Sequence, residues 1–256
     1  MIVLSVETKQ DENIVNEQNF EITTNDGNMG CFAAYPDEPG PFPAVILYMD
    51  APGIRQELRD FSCRIAEQGY YCLLPDMYYR RGTERFDLSK GDPAEMKKMF
   101  TAMSSLSLEL VMADTGSMLQ YLNNNEHVAG SVGCIGYCMS GQYVVAAAGY
   151  YPNRFNAVAS LYGVGIVTNK PDSPHLLADK IKAELYLGFA ETDEYVGDNV
   201  IPDLTAALEE HQVEHVIETH KGCHHGFCFP GRGPLYNEAA AEKVWQTVFD
   251  LFSRKL

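Results

Sequence analysis

The segment Val132-Gly133-Cys134-Ile135-Gly136-Tyr137-Cys138-Met139-Ser140-Gly141 decides how this chain is built. A short apolar run ends in Gly-x-Cys-x-Ser-Gly, and an alanine-rich stretch follows at once. That is the pattern of a strand turning sharply into a helix, a nucleophile elbow that here carries a thiol. The backbone can cross itself at such a turn only if the residues two before and two after the central one are small, as Gly136 and Ser140 are. Cys138 would then stand at the strand's carboxyl end. The Met139 N–H and the helix N-terminus would face any negative charge that develops there. A lone cysteine is most often a small buried apolar side chain, but the flanking residues argue for exposure to chemistry. Ser140 is the rival nucleophile; in its frame Gln142 would occupy a position of the tight crossing, and glutamine is too bulky for it.

Outward from the elbow, strand and helix patterns alternate. Residues 17–36 read as a hairpin, with Phe20-Glu21-Ile22-Thr23 and Met29-Gly30-Cys31-Phe32 around Asn25-Asp26-Gly27-Asn28. The run Ala44 to Met49 is a buried strand, and Leu58, Phe61 and Ile65 share one helical face ahead of Gly69. Further strands are expected at 71–74, 131–135, 157–161, 184–189 and 213–219, with helices at 107–122, 140–149, 202–211 and 237–253 and a short one at 93–103. The series predicts one α/β domain over 1–256, a mostly parallel sheet with helices on both faces. In open sheets of this kind ligands sit beyond the carboxyl ends of the strands. Asp50, Tyr78 to Arg81, Cys138, Asp193 and the 220s all fall there.

Composition narrows the function classes. A formal charge of −16, from 35 acidic and 19 basic residues, repels phosphate backbones and anionic membranes. Neither a nucleic acid nor a membrane is therefore an expected partner. Met1 to Glu7 lack the basic flank of a secretory signal, and no run approaches a membrane span. Seven cysteines, an odd number scattered along the chain, fit reduced thiols in a cytoplasmic setting rather than a disulfide framework.

A thiol nucleophile needs a base, and the base needs an acid to orient it. Asp193 follows the strand Leu185 to Phe189, in a loop shared with the rival acids Glu191 and Glu194. His225 follows the strand Val213 to Thr219. Nucleophile, acid, histidine is the chain order of α/β-hydrolases. Cys223, His224, His225 and Cys228 also form a short cluster of metal-ligand types, but no second pair at ligand spacing exists elsewhere. The loop after the first central strand, Tyr48 to Arg55, would supply the Ala51 N–H as an oxyanion donor beside that of Met139. Asp50 in that loop would lie near the thiol, unless it only caps the following helix.

These residues resemble the dienelactone hydrolase family, the carboxymethylenebutenolidases of the α/β-hydrolase superfamily, over roughly residues 18–253. The carriers are Met49 to Arg55, Ala66-Glu67-Gln68-Gly69-Tyr70, Pro75 to Arg80, Gly136 to Gly141, Asp193-Glu194-Tyr195-Val196 and His225-Gly226-Phe227. The resemblance implies a Cys138, His225, Asp193 triad that cleaves a small enol-lactone or ester through a thioester, without metal or organic cofactor. A monomer or homodimer is expected. It further implies that Asp50 helps activate the thiol, where better-known members carry glutamate, and that Arg80 meets a substrate carboxylate. Tyr78 and Phe227 are expected to line the pocket. The family's second arginine would stand at position 229, where this chain has Phe229; Arg81 and Arg232 are the candidates to replace it. Two other functions remain open on the sequence: a general carboxylesterase or thioesterase for less charged substrates, and a non-catalytic protein whose Cys138 senses oxidants.

Overall fold

A computed structural model describes residues 15–82, 84–87 and 91–256; the reading of the N-terminal segment lies outside them. The elements are β1 (Val15–Thr24), β2 (Gly27–Pro36), β3 (Phe42–Tyr48), α1 (Gln56–Ala66), β4 (Tyr71–Pro75), α2 (Pro93–Met103), α3 (Leu108–Asn123), β5 (Val128–Tyr137), α4 (Gly141–Tyr150), β6 (Phe155–Leu161), β7 (Glu184–Thr192), α5 (Val200–Glu210), β8 (His215–His224) and α6 (Glu238–Lys255).

The strands form one eight-stranded sheet in the order β1-β2-β4-β3-β5-β6-β7-β8. The β1–β2 hairpin and the β2–β4 pair are antiparallel, and every other pair is parallel. From β3 the chain steps one way to β4, then back past β3 to β5 and onward to β8. Right-handed crossovers therefore put α1 on one face and α3, α4 and α5 on the other. α6 returns to the face of α1, where Phe61 meets Trp245 edge-on at 5.1 Å and Arg64 grips Glu242. Burial on both faces explains why the central strands read as unbroken apolar runs: Val45, Ile46, Leu47, Cys134, Ile135, Val158 and Leu187 are all fully enclosed.

Two helix starts show their sequence logic. Asp92 caps α2 ahead of Pro93 by accepting from the Ala94 N–H, and Ser107 caps α3 by accepting from the Leu110 N–H. Among the described residues no helix is long and apolar enough to cross a membrane.

The C-terminal end of α6 is tied to the sheet by charge. Glu184, at the start of β7, takes a two-pronged contact from Arg254 at 2.8 and 2.6 Å and lies 3.0 Å from Lys255 Nζ. The Arg254 hydrogen bonds, with Lys255, outweigh burial and hold the Glu184 carboxyl at about 2, below its ordinary 4.5. A folded-state pKa below the unfolded one contributes stability that is fully present above about 4.5 and fades as pH falls toward 2. Glu184→Gln should therefore cost about 1 kcal/mol in urea unfolding at pH 7, a modest figure because the solvent screens a half-exposed arginine. The gap to the parent protein should narrow steadily below pH 4.5. A gap independent of pH would show that packing, not charge, is lost.

Candidate active site

Strand register assembles the site. Tyr48 pairs with Gly136, so Asp50 and Cys138, each two residues further on, emerge at the same edge. Tyr137 pairs with Leu161, which brings Tyr162 beside Cys138. On the far side Thr192 pairs with His224 across a register shift after Ala190, and the next residues are Asp193 and His225.

The elbow is as tight as its sequence demands. Cys138 has φ +54°, a left-handed conformation that costs a non-glycine residue energy and is held only by its surroundings. A Cβ on Gly136 would come within 2.8 Å of the Ser140 carbonyl oxygen, and one on Gly141 within 2.2 Å of Gly163 Cα. Ser140 itself is fully buried, and its hydroxyl donates to the Met49 carbonyl, tying the elbow to the end of β3. The hydroxyl that rivalled Cys138 in the sequence is thus a structural tie.

His225 Nδ1 lies 2.8 Å from Asp193 Oδ2, while Asp193 Oδ1 accepts from the Tyr195 N–H at 3.0 Å. A carboxylate accepts only, so the imidazole proton sits on Nδ1 and Nε2 faces away from Asp193. Nε2 is buried without a hydrogen-bond partner. The ring lies between those of Tyr162 and Tyr195, centroids 5.0 and 4.8 Å away. Burial works against the imidazolium, but the Asp193 hydrogen bond and then the neighbouring Cys138 thiol outweigh it and raise the His225 pKa to about 9. The rival acids are engaged otherwise: Glu191 accepts from the Gly222 N–H at 2.8 Å, and Glu194 interacts with Tyr195. Among the described residues no group of three His, Cys, Asp or Glu could hold a metal ion.

The loop after β3 closes in a turn in which the Asp50 carbonyl accepts from the Gly53 N–H at 3.0 Å. In a trans peptide the N–H points opposite to the C=O, so the Ala51 N–H is directed out of that turn. Met139 follows the nucleophile in the first turn toward α4, where amides lack an intrahelical acceptor.

The residues expected to touch substrate lie differently. Arg80 is turned away: its guanidinium clasps Asp114 on α3 through two hydrogen bonds of 2.8 Å and reaches Asp26 at 2.7 Å in the β1–β2 turn. Asp114 is buried, and an unpaired carboxylate there would be costly, so Arg80 and the Tyr79 hydroxyl are drawn to it. Arg81 pairs with Glu84 at 3.2 Å. Tyr78 and Phe227 are not pocket surface: they are 1% and 0% exposed. The Tyr78 hydroxyl donates to the Ala51 carbonyl, and Phe227 packs beneath the histidine loop against Tyr162 and His220. Their aromatic character serves burial.

Asp50 is 1% exposed and already partnered. Arg55 binds both its oxygens, at 2.5 and 3.1 Å, and Arg232 stands 3.8 Å away. The Arg55 guanidinium lies over the Phe229 ring, 4.7 Å from its centroid. A cation from the start of α1 thus occupies the space above position 229. Sequence reasoning missed Arg55 because its partners lie five residues away and at the far end of the chain. Arg55, Arg85 and Arg232, with Pro52, Phe86 and Leu235, line a cleft of about 830 Å³ on this side. A smaller cleft of about 430 Å³, with Phe100, Met103, Leu106 and Leu108, reaches Met139 and Gln142 from the other side.

The family described as dienelactone hydrolase matches residues 29–256. The chain belongs to the dienelactone hydrolase family. It is 31% identical over 231 residues to a Synechocystis protein named "Putative carboxymethylenebutenolidase", covering 88% of this chain and 91% of that one. It is 25% identical to a Bradyrhizobium protein named "Probable 2-oxo-3-(5-oxofuran-2-ylidene)propanoate lactonase", over 88% and 89% of the two chains. The fold is shared with the solved structure named "Putative Dienelactone Hydrolase" from Klebsiella pneumoniae, with TM-score 0.83 and 22% identity over 94% of this chain and all of that one. This dienelactone hydrolase relative is accordingly a hydrolase built on an α/β-hydrolase sheet, and a small ester or lactone is the substrate consistent with its family. In this chain Arg80 braces the hairpin by way of Asp26 and Asp114, and Arg55 rests on Phe229.

Proposed function

We propose that this protein hydrolyses a small enol-lactone or carboxylic ester through Cys138, His225 and Asp193. The observation that carries the reading is the His225 ring, bonded to Asp193 through Nδ1, with Nε2 held by no other hydrogen bond and with Cys138, on its left-handed elbow, close enough to act on the ring. His225 takes the Cys138 proton, and the sulfur attacks the acyl carbon. The Ala51 and Met139 N–H groups receive the oxyanion. As the tetrahedral species collapses, the C–O bond breaks and His225 returns the proton to the leaving oxygen, giving a thioester. Water, deprotonated by His225, then attacks the thioester, and Cys138 leaves as thiol with the proton that His225 took up.

Asp50 has a conditional part in this reading. While Arg55 binds it, Asp50 is committed; a substrate carboxylate drawn to Arg55 or Arg232 would loosen that pair and free the Asp50 carboxylate to help activate the thiol. Arg232, at 3.8 Å the looser of the two partners, is the guanidinium best placed to turn toward substrate. The name of the Bradyrhizobium relative supports a lactone that bears a carboxylate. A second reading, a general esterase for neutral substrates, is favoured by the carboxylates Asp50, Glu57 and Asp76, which already neutralise Arg55 and Arg85.

Steady-state rates on dienelactone and on neutral aryl esters, with and without Arg232→Ala, test the choice. Loss of a charge-assisted contact to a carboxylate should lower kcat/KM on dienelactone by about 10-fold or more, and leave neutral esters within about 2-fold. Equal losses on both would remove Arg232 from substrate recognition. Parent rates on neutral esters above those on dienelactone would favour the esterase.

A further inference from the structure

The two amides assigned to the oxyanion hole belong to different elements, the loop after β3 and the turn that leads into α4. One side chain touches both residues, at the carbonyl of the first and the sulfur of the second. Tyr78, which follows β4, donates its hydroxyl to the Ala51 carbonyl at 2.9 Å, and the same oxygen lies 3.4 Å from Met139 Sδ. Its ring is 1% exposed and packs edge-on against Phe86 at 6.2 Å, and its own N–H is fixed by Asp76 Oδ1 at 3.1 Å. Asp76 in turn is held by Arg85. Backbone, ring and hydroxyl are therefore each restrained.

We propose that Tyr78 is a positioning residue that sets the spacing of the oxyanion hole, joining the Ala51 loop to Met139 without touching substrate. The inference rests on the Cys138 mechanism above. The Asp50–Gly53 turn orients the peptide that carries the Ala51 N–H, but a turn alone does not fix its distance from the elbow. The Tyr78 hydrogen bond fixes the next peptide along, and its contact with Met139 sets the loop against the elbow. Ser140, through its bond to the Met49 carbonyl, anchors the same two elements one residue behind the reacting atoms. An oxyanion hole works only when its donors are already in place as charge develops, so this spacing matters in the transition state more than in substrate binding. Burial, then the charges of Tyr143, Asp50 and Cys138, raises the Tyr78 pKa, which keeps the hydroxyl protonated and donating at every working pH.

The test compares two reactions of the same sulfur. Butanal adds to Cys138 to form a hemithioacetal: the S–H proton passes to His225, the S–C bond forms, the carbonyl π pair moves to oxygen, and that oxygen rests in the hole as the proton is returned to it. Chloroacetamide forms the S–C bond by displacing chloride and needs no such hole. Tyr78→Phe keeps the ring and deletes the hydroxyl. It should lower kcat on p-nitrophenyl butyrate by about 10- to 100-fold with KM little changed, below the full loss of an oxyanion donor. It should weaken butanal inhibition by the same factor and leave the rate and pH profile of chloroacetamide alkylation unchanged. Placing 3-fluorotyrosine at 78, which retains a hydroxyl donor, should return all three to within about 2-fold of the parent.

The proposal is overturned if Tyr78→Phe keeps parental kcat and butanal affinity. It is also overturned if alkylation falls in step with turnover, since Tyr78 would then act on the thiol or on the fold. If Tyr78→Phe does not fold, Met139→Leu, which deletes the sulfur that Tyr78 meets, decides: a loss of kcat and butanal affinity with alkylation unchanged supports the proposal, and parental values of all three overturn it. Full turnover by Cys138→Ala would instead overturn the mechanism on which the inference rests, a result separate from any Tyr78 outcome.

Discussion

Cys138→Ala should lose at least about 1,000-fold in turnover of both dienelactone and activated esters, the scale on which removing a covalent nucleophile acts. The expectation follows from how little else at the site can attack. Ser140 is buried with its hydroxyl given to Met49, and its replacement of the sulfur would require the elbow to unwind. Water could still be activated by His225, so a small residual rate from the oxyanion amides should persist. In the parent protein, rapid acid quench during turnover of p-nitrophenyl butyrate should trap one butyryl group on the peptide that carries Cys138, detected by mass. The variant should trap none. Full turnover by Cys138→Ala would rule out the thioester. A parent that hydrolyses no ester in a broad panel, yet is reversibly oxidised by peroxide at Cys138, would establish the sensor instead.

The elbow is readable because its sterics are local: Gly136, Ser140 and Gly141 lie within three residues of Cys138, and at Gly136 and Gly141 the structure shows the clashes that a side chain would bring. The partnership of Asp193 with His225 was suggested by chain order, but the strand register that makes them neighbours is a property of the whole sheet. β8 runs on to His224, beyond the apolar pattern that suggested an end near 219, because main-chain pairing with β7 continues through polar residues. Arg80 could not be placed from its own surroundings. Its orientation is decided by the buried Asp114, which looks in sequence like one more polar residue of an amphipathic helix. Tyr78 and Phe227 share that difficulty: an aromatic residue after a strand is equally suited to face ligand or core, and only the packing of the loops above it decides. Arg55 was hidden for the opposite reason, since a cation resting on a ring 174 residues away leaves no local trace.

Asp193→Asn should reduce kcat/KM by about 100- to 10,000-fold, although the two side chains have nearly the same shape. The cause lies in the Tyr195 N–H, which donates to Asp193 Oδ1 at 3.0 Å. An asparagine must put its oxygen there to satisfy that donor, and its NH₂ then faces His225 Nδ1. Two donors cannot share a hydrogen bond, so Nδ1 must accept, its proton moves to Nε2, and the ring loses the lone pair that would receive the Cys138 proton. The same change removes the largest influence raising the His225 pKa, leaving burial to lower it from about 9. Leaving-group protonation needs the imidazolium, so the alkaline limb of kcat/KM, near pH 9 in the parent, should move toward lower pH in the variant. Stability should follow the sign of the shift. A histidine whose folded pKa exceeds its unfolded value of about 6.5 adds stability that is complete below that value and is lost as pH rises through about 9. The parent should therefore exceed Asp193→Asn in urea unfolding at pH 6, and this charge-linked part of the difference should vanish above pH 9. A variant within 10-fold of parental kcat/KM, with its alkaline limb unmoved, would mean that Asp193 neither orients nor charges His225.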